Sequence, residues 1–200
     1  MAATDAFNLQ WGEWSRRYDD RGNRGHEVDR QVVRDEMEET RQTFHRLLNS
    51  ATVAELNRPS NGTKWTNGEL LFHMLFGYLI VVRLLVLVRI FGRLPDGVSR
   101  VFAGLLEAST RPFHTINYVG SVVGPRMLGY AGLGRGFDRV VAKLLRHLDQ
   151  ESDSELGRGM HYPASWDPYF KAYMTLADVY RYPTQHFEHH SRQLTLGGPD

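Results

Sequence analysis

The longest apolar segment of the chain constrains its fold more than any other feature. Residues 70–82 are almost entirely apolar, and Arg83 is the first charged residue after them. Thr66 and Glu69, just before the segment, form a capping-box pattern in which each side chain satisfies a free backbone N–H at a helix start. The sequence therefore predicts a buried helix over residues 67–91.

The same segment bears on where the protein resides. A bilayer span needs about 20 consecutive apolar residues, whereas Arg83 and Arg89 interrupt this one. We therefore expect no transmembrane segment, although attachment to a membrane surface stays open. The N-terminus lacks the basic flank and apolar stretch of a secretory signal. Since the chain has no cysteine, which fits a reducing compartment, the expected location is cytoplasmic.

Apolar residues recur at mostly helical spacing in three other segments, which predicts an all-α fold. Pro183 is expected to kink the last segment, because it removes one N–H and crowds a carbonyl one turn back. The intervening residues 54–65 and 161–170 are predicted loops, since both are rich in turn-forming or aromatic residues. The predicted additional helices cover residues 28–49, about 137–148 and about 169–194.

Two segments lie outside this helical pattern. Residues 1–25 read as an N-terminal arm whose aromatic residues dock on the remaining domain, residues 26–200. Residues 96–134 combine a short amphipathic pattern at 98–106 with glycines and Pro125, which are expected to interrupt any helix after residue 106. We interpret them as an insertion between the second and third core helices that covers a site or forms a homodimer contact.

The overall charge excludes one class of partner. Basic residues number 24 and acidic residues 23, giving a net charge of +1. Such a balance produces no general field that would attract nucleic acid. We therefore expect no nucleic-acid partner.

The densest chemical signal is the sequence QHFEHHSRQL at residues 185–194. On a helix, His186 and His190 are one turn apart on the same face, a spacing that lets both imidazoles bind one metal ion. The third ligand must come from elsewhere, and His73 is the best candidate because it interrupts the apolar second helix. The alternative for His73 is a hydrogen-bonded core residue.

A metalloprotease helix with the pattern HExxH would imply a different reaction, and the sequence excludes it. The acid is Glu188, two residues after His186, so it projects about 200° away from that imidazole on a helix. It therefore cannot act as the base beside a metal held by His186.

Further candidates lie near the proposed ligands. Glu69, His189 and Arg192 could orient a ligand or contact substrate, although capping explains Glu69 equally well and solvent exposure explains Arg192. A carboxylate base would favour hydrolytic, lyase or isomerase chemistry. Asp167 and Asp178 are the candidates for that base, and the sequence does not place either.

Two motifs together resemble the DinB-like superfamily. WTNGELLFHM at 65–74 resembles the start of that family's second helix, and HFEHHSRQL at 186–194 resembles its last-helix pattern. The resemblance covers roughly residues 27–91 and 135–196. Ser191 and Arg192 depart from the common family version, in which Arg and Gly follow the paired histidines.

The resemblance implies an all-α, DinB-like four-helix bundle with a three-histidine metal site at His73, His186 and His190. It also implies one divalent ion, zinc, nickel or iron, and a transferase that activates a low-molecular-weight thiol for attack on a small electrophile. Of the basic residues only Lys64, Lys143 and Lys171 are lysine, an arginine-rich composition common in GC-rich genomes that favours mycothiol. The alternatives are a thiol-independent hydrolase, lyase or isomerase, including one of secondary metabolism, and a non-catalytic metal-binding stress protein.

Overall fold

The computed structural model describes residues 30–197, so the predicted arm and the predicted start of the first helix at Val28 lie outside the described residues. Two short strands, β1 (Gly159–His161) and β2 (Tyr173–Thr175), pair antiparallel with Met160 opposite Met174. The helices within the described range are α1 (Arg30–Ser50), α2 (Val53–Asn57), α3 (Asn67–Phe91), α4 (Asp96–Ala108), α5 (Thr110–Gln150), α6 (Asp153–Leu156) and α7 (Leu176–Ser191).

Four helical segments form the bundle: α1, α3, the second half of α5 and α7. Each contributes one large aromatic side chain to a common cluster in the core. Phe44 and Phe137 stack with ring centroids 4.2 Å apart, and Tyr78 and Phe187 lie 4.8 and 6.0 Å from Phe137. All four side chains are fully buried. The predicted all-α bundle is confirmed.

A buried carboxylate connects three parts of the bundle at the end opposite the α3 N-terminus. Glu151, just after α5, accepts hydrogen bonds from Arg89 Nε of α3 at 3.0 Å and from the Tyr180 hydroxyl of α7 at 3.1 Å. Because the carboxylate is buried, losing one of these donors would leave it with an uncompensated charge. The contact therefore fixes the packing of α3 against α7.

Helix α3 has the predicted bounds and the predicted capping box between Thr66 and Glu69. Of the helices in residues 30–197, it is the one long and apolar enough to cross a membrane by length and composition, with a mean hydropathy of 2.3 in its most apolar window. Within the fold, 61% of that window is buried. Contact with the other bundle helices thus accounts for much of its apolar surface.

The glycine-rich segment differs from its prediction. Residues 110–150 are helical with a single interruption at Gly129, where φ is +63° and ψ is 163°. Gly124 stays helical because it is a point of close packing: a Cβ there would lie 2.1 Å from the Phe72 ring. At Gly124, close packing against α3 thus offsets the weak helix propensity of glycine.

Three local predictions also need correction. Residues 54–57 of the predicted 54–65 loop are helical, because Thr52 and Glu55 form a capping box at the start of α2. The 161–170 segment is a loop from its second residue onward, but His161 belongs to the unpredicted strand β1. The last helix starts at Leu176 rather than near residue 169, because Thr175 and Asp178 cap it.

Candidate metal centre

The three histidines predicted to bind metal lie together between α3 and α7. The Nε2 atoms of His73 and His190 are 3.2 Å apart. The ring of His186 lies 4.9 Å from that of His73 and 4.6 Å from that of His190, measured between centroids. One ligand nitrogen from each of the three lies within 4.8 Å of the other two. The bundle therefore brings His73 to the pair formed by His186 and His190, which the sequence spacing alone had placed on one helix face.

Hydrogen bonds set the protonation of two of these rings. Ser121 donates its hydroxyl proton to the Asn117 carbonyl at 2.8 Å, so its oxygen accepts from His73 Nδ1 at 3.2 Å. Gln193 Oε1 likewise accepts from His190 Nδ1 at 2.7 Å. A neutral imidazole carries one proton, so the Nε2 atoms of His73 and His190 both face the centre as lone pairs.

Burial keeps all three rings uncharged. It lowers the pKa of His73 to about 3, with a further contribution from His190, and the pKa of His190 to about 4. Burial followed by the neighbouring His73 holds the pKa of His186 well below its ordinary value. At neutral pH the three side chains are therefore neutral, the form in which imidazole binds metal.

This arrangement fits a divalent cation. Two nitrogen lone pairs facing each other at 3.2 Å repel unless a positive charge lies between them. Zinc–imidazole bonds of 2.0–2.1 Å in a tetrahedron place neighbouring nitrogens about 3.3 Å apart, close to the observed separation. Three neutral imidazoles suit zinc, nickel or iron better than a cation that prefers oxygen ligands.

The His186 ring depends on a glycine in the facing helix. It lies over Gly77 of α3, and a Cβ at that position would be 2.8 Å from His186 Nδ1. Since contacts under about 3.0 Å are not tolerated, any larger residue would displace the imidazole. Gly77 is thus part of the site, although its side chain contributes no ligand.

Asp167, one of the two candidate bases, lies beside the cluster. Its Oδ2 is 3.7 Å from His186 Nε2. The carboxylate accepts hydrogen bonds from the Tyr182 hydroxyl and the Tyr169 backbone N–H, both at 2.9 Å. Burial raises the pKa of Asp167 above its ordinary value despite these two bonds. The other candidate, Asp178, caps α7 and pairs with Lys171 at 2.7 Å, away from the cluster.

The remaining candidates occupy the surroundings of the cluster. His189 Nδ1 bonds to the Tyr169 hydroxyl at 3.2 Å, which connects it to the segment that carries Asp167. Glu69 accepts the Thr66 N–H at 2.9 Å as a helix cap. The side chain of Arg192 is largely exposed and lies 3.6 Å from Glu188, whose pKa burial raises to about 7.

A cavity of about 190 Å³ opens onto the cluster. Its walls come from α3, the first half of α5, the loop between the strands and α7. Most of the lining surface is apolar, and the polar side chains in it are His73, His114, Asn117, Asp167, Tyr182 and His186. Residues 113–117, in the first half of α5, thus form one wall of the cavity beside the cluster.

Sequence reasoning missed several residues that support the site. Ser121 lies in the segment judged to be broken by glycines, and only the tertiary packing of α5 brings it to His73. Trp65 stacks on His73 with centroids 4.3 Å apart, and Gln193 orients His190. Both belong to the two motifs that carry the family resemblance, which was the available signal.

Comparison with known proteins gives one match. The model of the DinB superfamily matches residues 36–194. No curated protein and no solved structure matches the chain. The matched range includes all three clustered histidines as well as the inserted segment.

Proposed function

Because the chain belongs to the DinB superfamily, we propose that it is a metal-dependent enzyme acting on small molecules, with one zinc, nickel or iron ion held by His73, His186 and His190. The observation that carries this proposal is the pair of Nε2 lone pairs that face each other at 3.2 Å. His186 lies beside them with its charge suppressed by burial. A cavity of about 190 Å³ fits a small substrate rather than a polymer.

The reaction we favour is transfer of a low-molecular-weight thiol, such as mycothiol, to an electrophile. A divalent ion with three neutral ligands keeps its full charge and lowers the pKa of a coordinated thiol or water. The apolar walls near Phe113 and Trp166 suit the electrophile. A polar thiol such as mycothiol would keep its sugar outside the cavity, because burying hydroxyl groups without partners is costly.

Asp167 is the residue we propose to accept the proton released in the reaction. Tyr182 and the Tyr169 backbone hold its carboxylate in place, and burial raises its pKa. A raised pKa makes a carboxylate a better proton acceptor near neutral pH. Asp167 lines the cavity, so a molecule bound there would lie within its reach.

The same carboxylate supports a second candidate function. A thiol-independent hydrolase, lyase or isomerase needs a base beside the metal, and Asp167 lies 3.7 Å from His186. A third candidate is a metal-binding stress protein without turnover.

For location, the absence of cysteine fits a cytoplasmic enzyme. The homodimer contact expected for residues 96–134 stays a prediction.

Elemental analysis and calorimetry separate these candidates. We expect stoichiometric metal in the wild type and in His189→Ala, the matched control, but not in His190→Ala. Mycothiol added to the loaded protein should bind with release of about one proton, seen in buffers of different ionisation enthalpy. Full occupancy in His190→Ala would refute the metal site. Turnover of an electrophile without any thiol, and without thiol binding, would favour the second candidate.

A further inference from the structure

The cavity beside the histidines has the dimensions of a single aromatic ring. Phe76, Ile80 and Leu84 of α3 form one wall, and Phe113, Trp166 and Phe170 lie on the others. Apolar cavities of about 150 Å³ bind benzene, so about 190 Å³ accommodates a ring with one substituent.

The aromatic part of the lining outside α3 is firmly held. Phe113 and Trp166 stack with centroids 3.9 Å apart and ring planes 10° from parallel. Trp166 Nε1 donates to the Leu106 carbonyl of α4 at 3.1 Å, which fixes the indole orientation. A planar ligand can pack on such a surface with offset-stacked or edge-to-face geometry. A puckered ring of the same volume would make poorer contact.

The lining of the cavity offers a charged hydrogen-bond acceptor. Asp167 is the carboxylate in this lining, and its side chain is 14% exposed. It accepts bonds from Tyr182 and from the Tyr169 N–H, while an ionised carboxylate has about four acceptor positions. Capacity for a further donor thus remains. Among residues 30–197, no lysine or arginine lines this cavity.

From these observations we infer that the substrate, or the substrate's recognised part, is a single aromatic ring bearing a hydrogen-bond donor, as in a phenol. The ring lies between the α3 wall and the Phe113–Trp166 pair, and the donor points to Asp167. This inference deepens the proposed function and rests on it for the identity of the site.

Calorimetry of the metal-loaded protein with three probes tests the inference. Phenol should bind, and toluene and cyclohexanol should each bind at least about tenfold more weakly. Asp167→Asn should weaken phenol binding by about tenfold, because it removes a charged acceptor, and should leave toluene unchanged. Equal affinities for phenol and toluene, or an unchanged phenol affinity in Asp167→Asn, would overturn the inference.

A steric variant separates binding in the cavity from binding elsewhere. Ile80→Trp should fill the space and abolish phenol binding, whereas Val86→Trp, on the exposed side of the same helix, should preserve it. Retained phenol binding in Ile80→Trp would place the ligand outside the cavity. Elemental analysis distinguishes the two proposals: metal without phenol binding refutes only this inference, and phenol binding without metal refutes only the metal enzyme.

Discussion

The bundle and the inserted helices meet at His73 but are built differently. The bundle is held by a fully buried aromatic cluster around Phe137 and by the buried carboxylate Glu151. The inserted segment, taken here as the part of the predicted 96–134 insertion that runs to the break at Gly129, packs on α3 through small residues such as Gly124 and Ser121. Its exposed side carries nine large apolar side chains: Val98, Val101, Leu105, Ile116, Tyr118, Val119, Val123, Met127 and Leu128.

This difference in packing corresponds to two roles, which are positioning the histidines and forming the wall of the cavity. All three clustered histidines are on bundle helices, where packing fixes their positions. The inserted segment contributes a cavity wall through Phe113 and one hydrogen bond to His73 through Ser121. Changes in the insertion should therefore alter substrate binding more than metal binding. Matched substitutions in the two regions can test this separation.

The largest contrast is expected in folding stability. Phe137→Ala removes a ring that contacts three aromatic side chains in the bundle core, which costs about 3–5 kcal/mol. Val119→Ala, at an exposed position of the insertion, should change the free energy of unfolding by less than about 0.5 kcal/mol. Urea denaturation measures both. Similar values would show that the insertion is as much a part of the core as the bundle.

Three glycine substitutions test the separation of metal binding from cavity shape. Gly77→Ala and Gly124→Ala both introduce a methyl group into occupied space, 2.8 Å from His186 and 2.1 Å from Phe72, and overpacking costs about 1–3 kcal/mol. Only Gly77→Ala should lose metal, because it displaces a ligand. Gly120→Ala is the control, since nothing lies within 4 Å of its Cβ position, and it should be neutral or slightly stabilising.

Metal titration of the three glycine variants measures the loss of metal binding. Thermal denaturation of the same variants measures the loss of folding stability. If Gly124→Ala lost metal as completely as Gly77→Ala, the insertion would be part of the metal centre. If neither variant lost metal, the His186 ring would not be a ligand in the observed position.

Ser121→Ala should have a smaller effect on metal affinity. The hydroxyl orients His73 by accepting from Nδ1, and loss of such a partner typically weakens metal binding by 10–100-fold. We expect metal affinity to fall by about tenfold, the lower end of this range, because packing in the bundle also positions the His73 ring. Competition with a chromophoric chelator measures the affinity, with Ser109→Ala, an exposed serine between α4 and α5, as the control. An unchanged affinity would mean that the insertion gives the centre no support.

The smallest expected signal is proton release on metal binding. At pH 6, three ordinary histidines with pKa near 6.5 would together carry about two protons, and metal would displace them. Because burial lowers the pKa of His73 to about 3 and of His190 to about 4, we expect release close to zero in calorimetry at this pH. Release of about two protons would contradict the burial of the site.

The same lowered pKa values should make the folding stability of the metal-free protein sensitive to acid. The histidines have a lower pKa in the folded state than in the unfolded state, so the unfolded chain binds more protons as the pH falls. Folding stability should therefore decrease from about pH 6.5 down towards pH 3, where His73 also becomes protonated. Metal should shift this decrease to lower pH, because protons must then compete with it.

The bundle could be predicted from sequence because its signals are local. The capping box at Thr66 and the one-turn spacing of His186 and His190 depend on neighbours in the chain. The position of Asp167 could not be predicted, because it depends on Trp166 packing on Phe113, 53 positions earlier in the chain. Most of α5 before Gly129 was missed because Gly124 marks close packing against Phe72 rather than a turn, whereas Gly129 does interrupt the helix.

X-ray absorption spectroscopy of the protein loaded with one equivalent of zinc tests the central claim most directly. The account predicts three imidazole nitrogens at 2.0–2.1 Å, the usual zinc–nitrogen distance, with the imidazole contribution reduced in His190→Ala. A spectrum without imidazole scattering, or one that is identical in the wild type and in His190→Ala, would contradict the assignment of His73, His186 and His190 as the metal ligands.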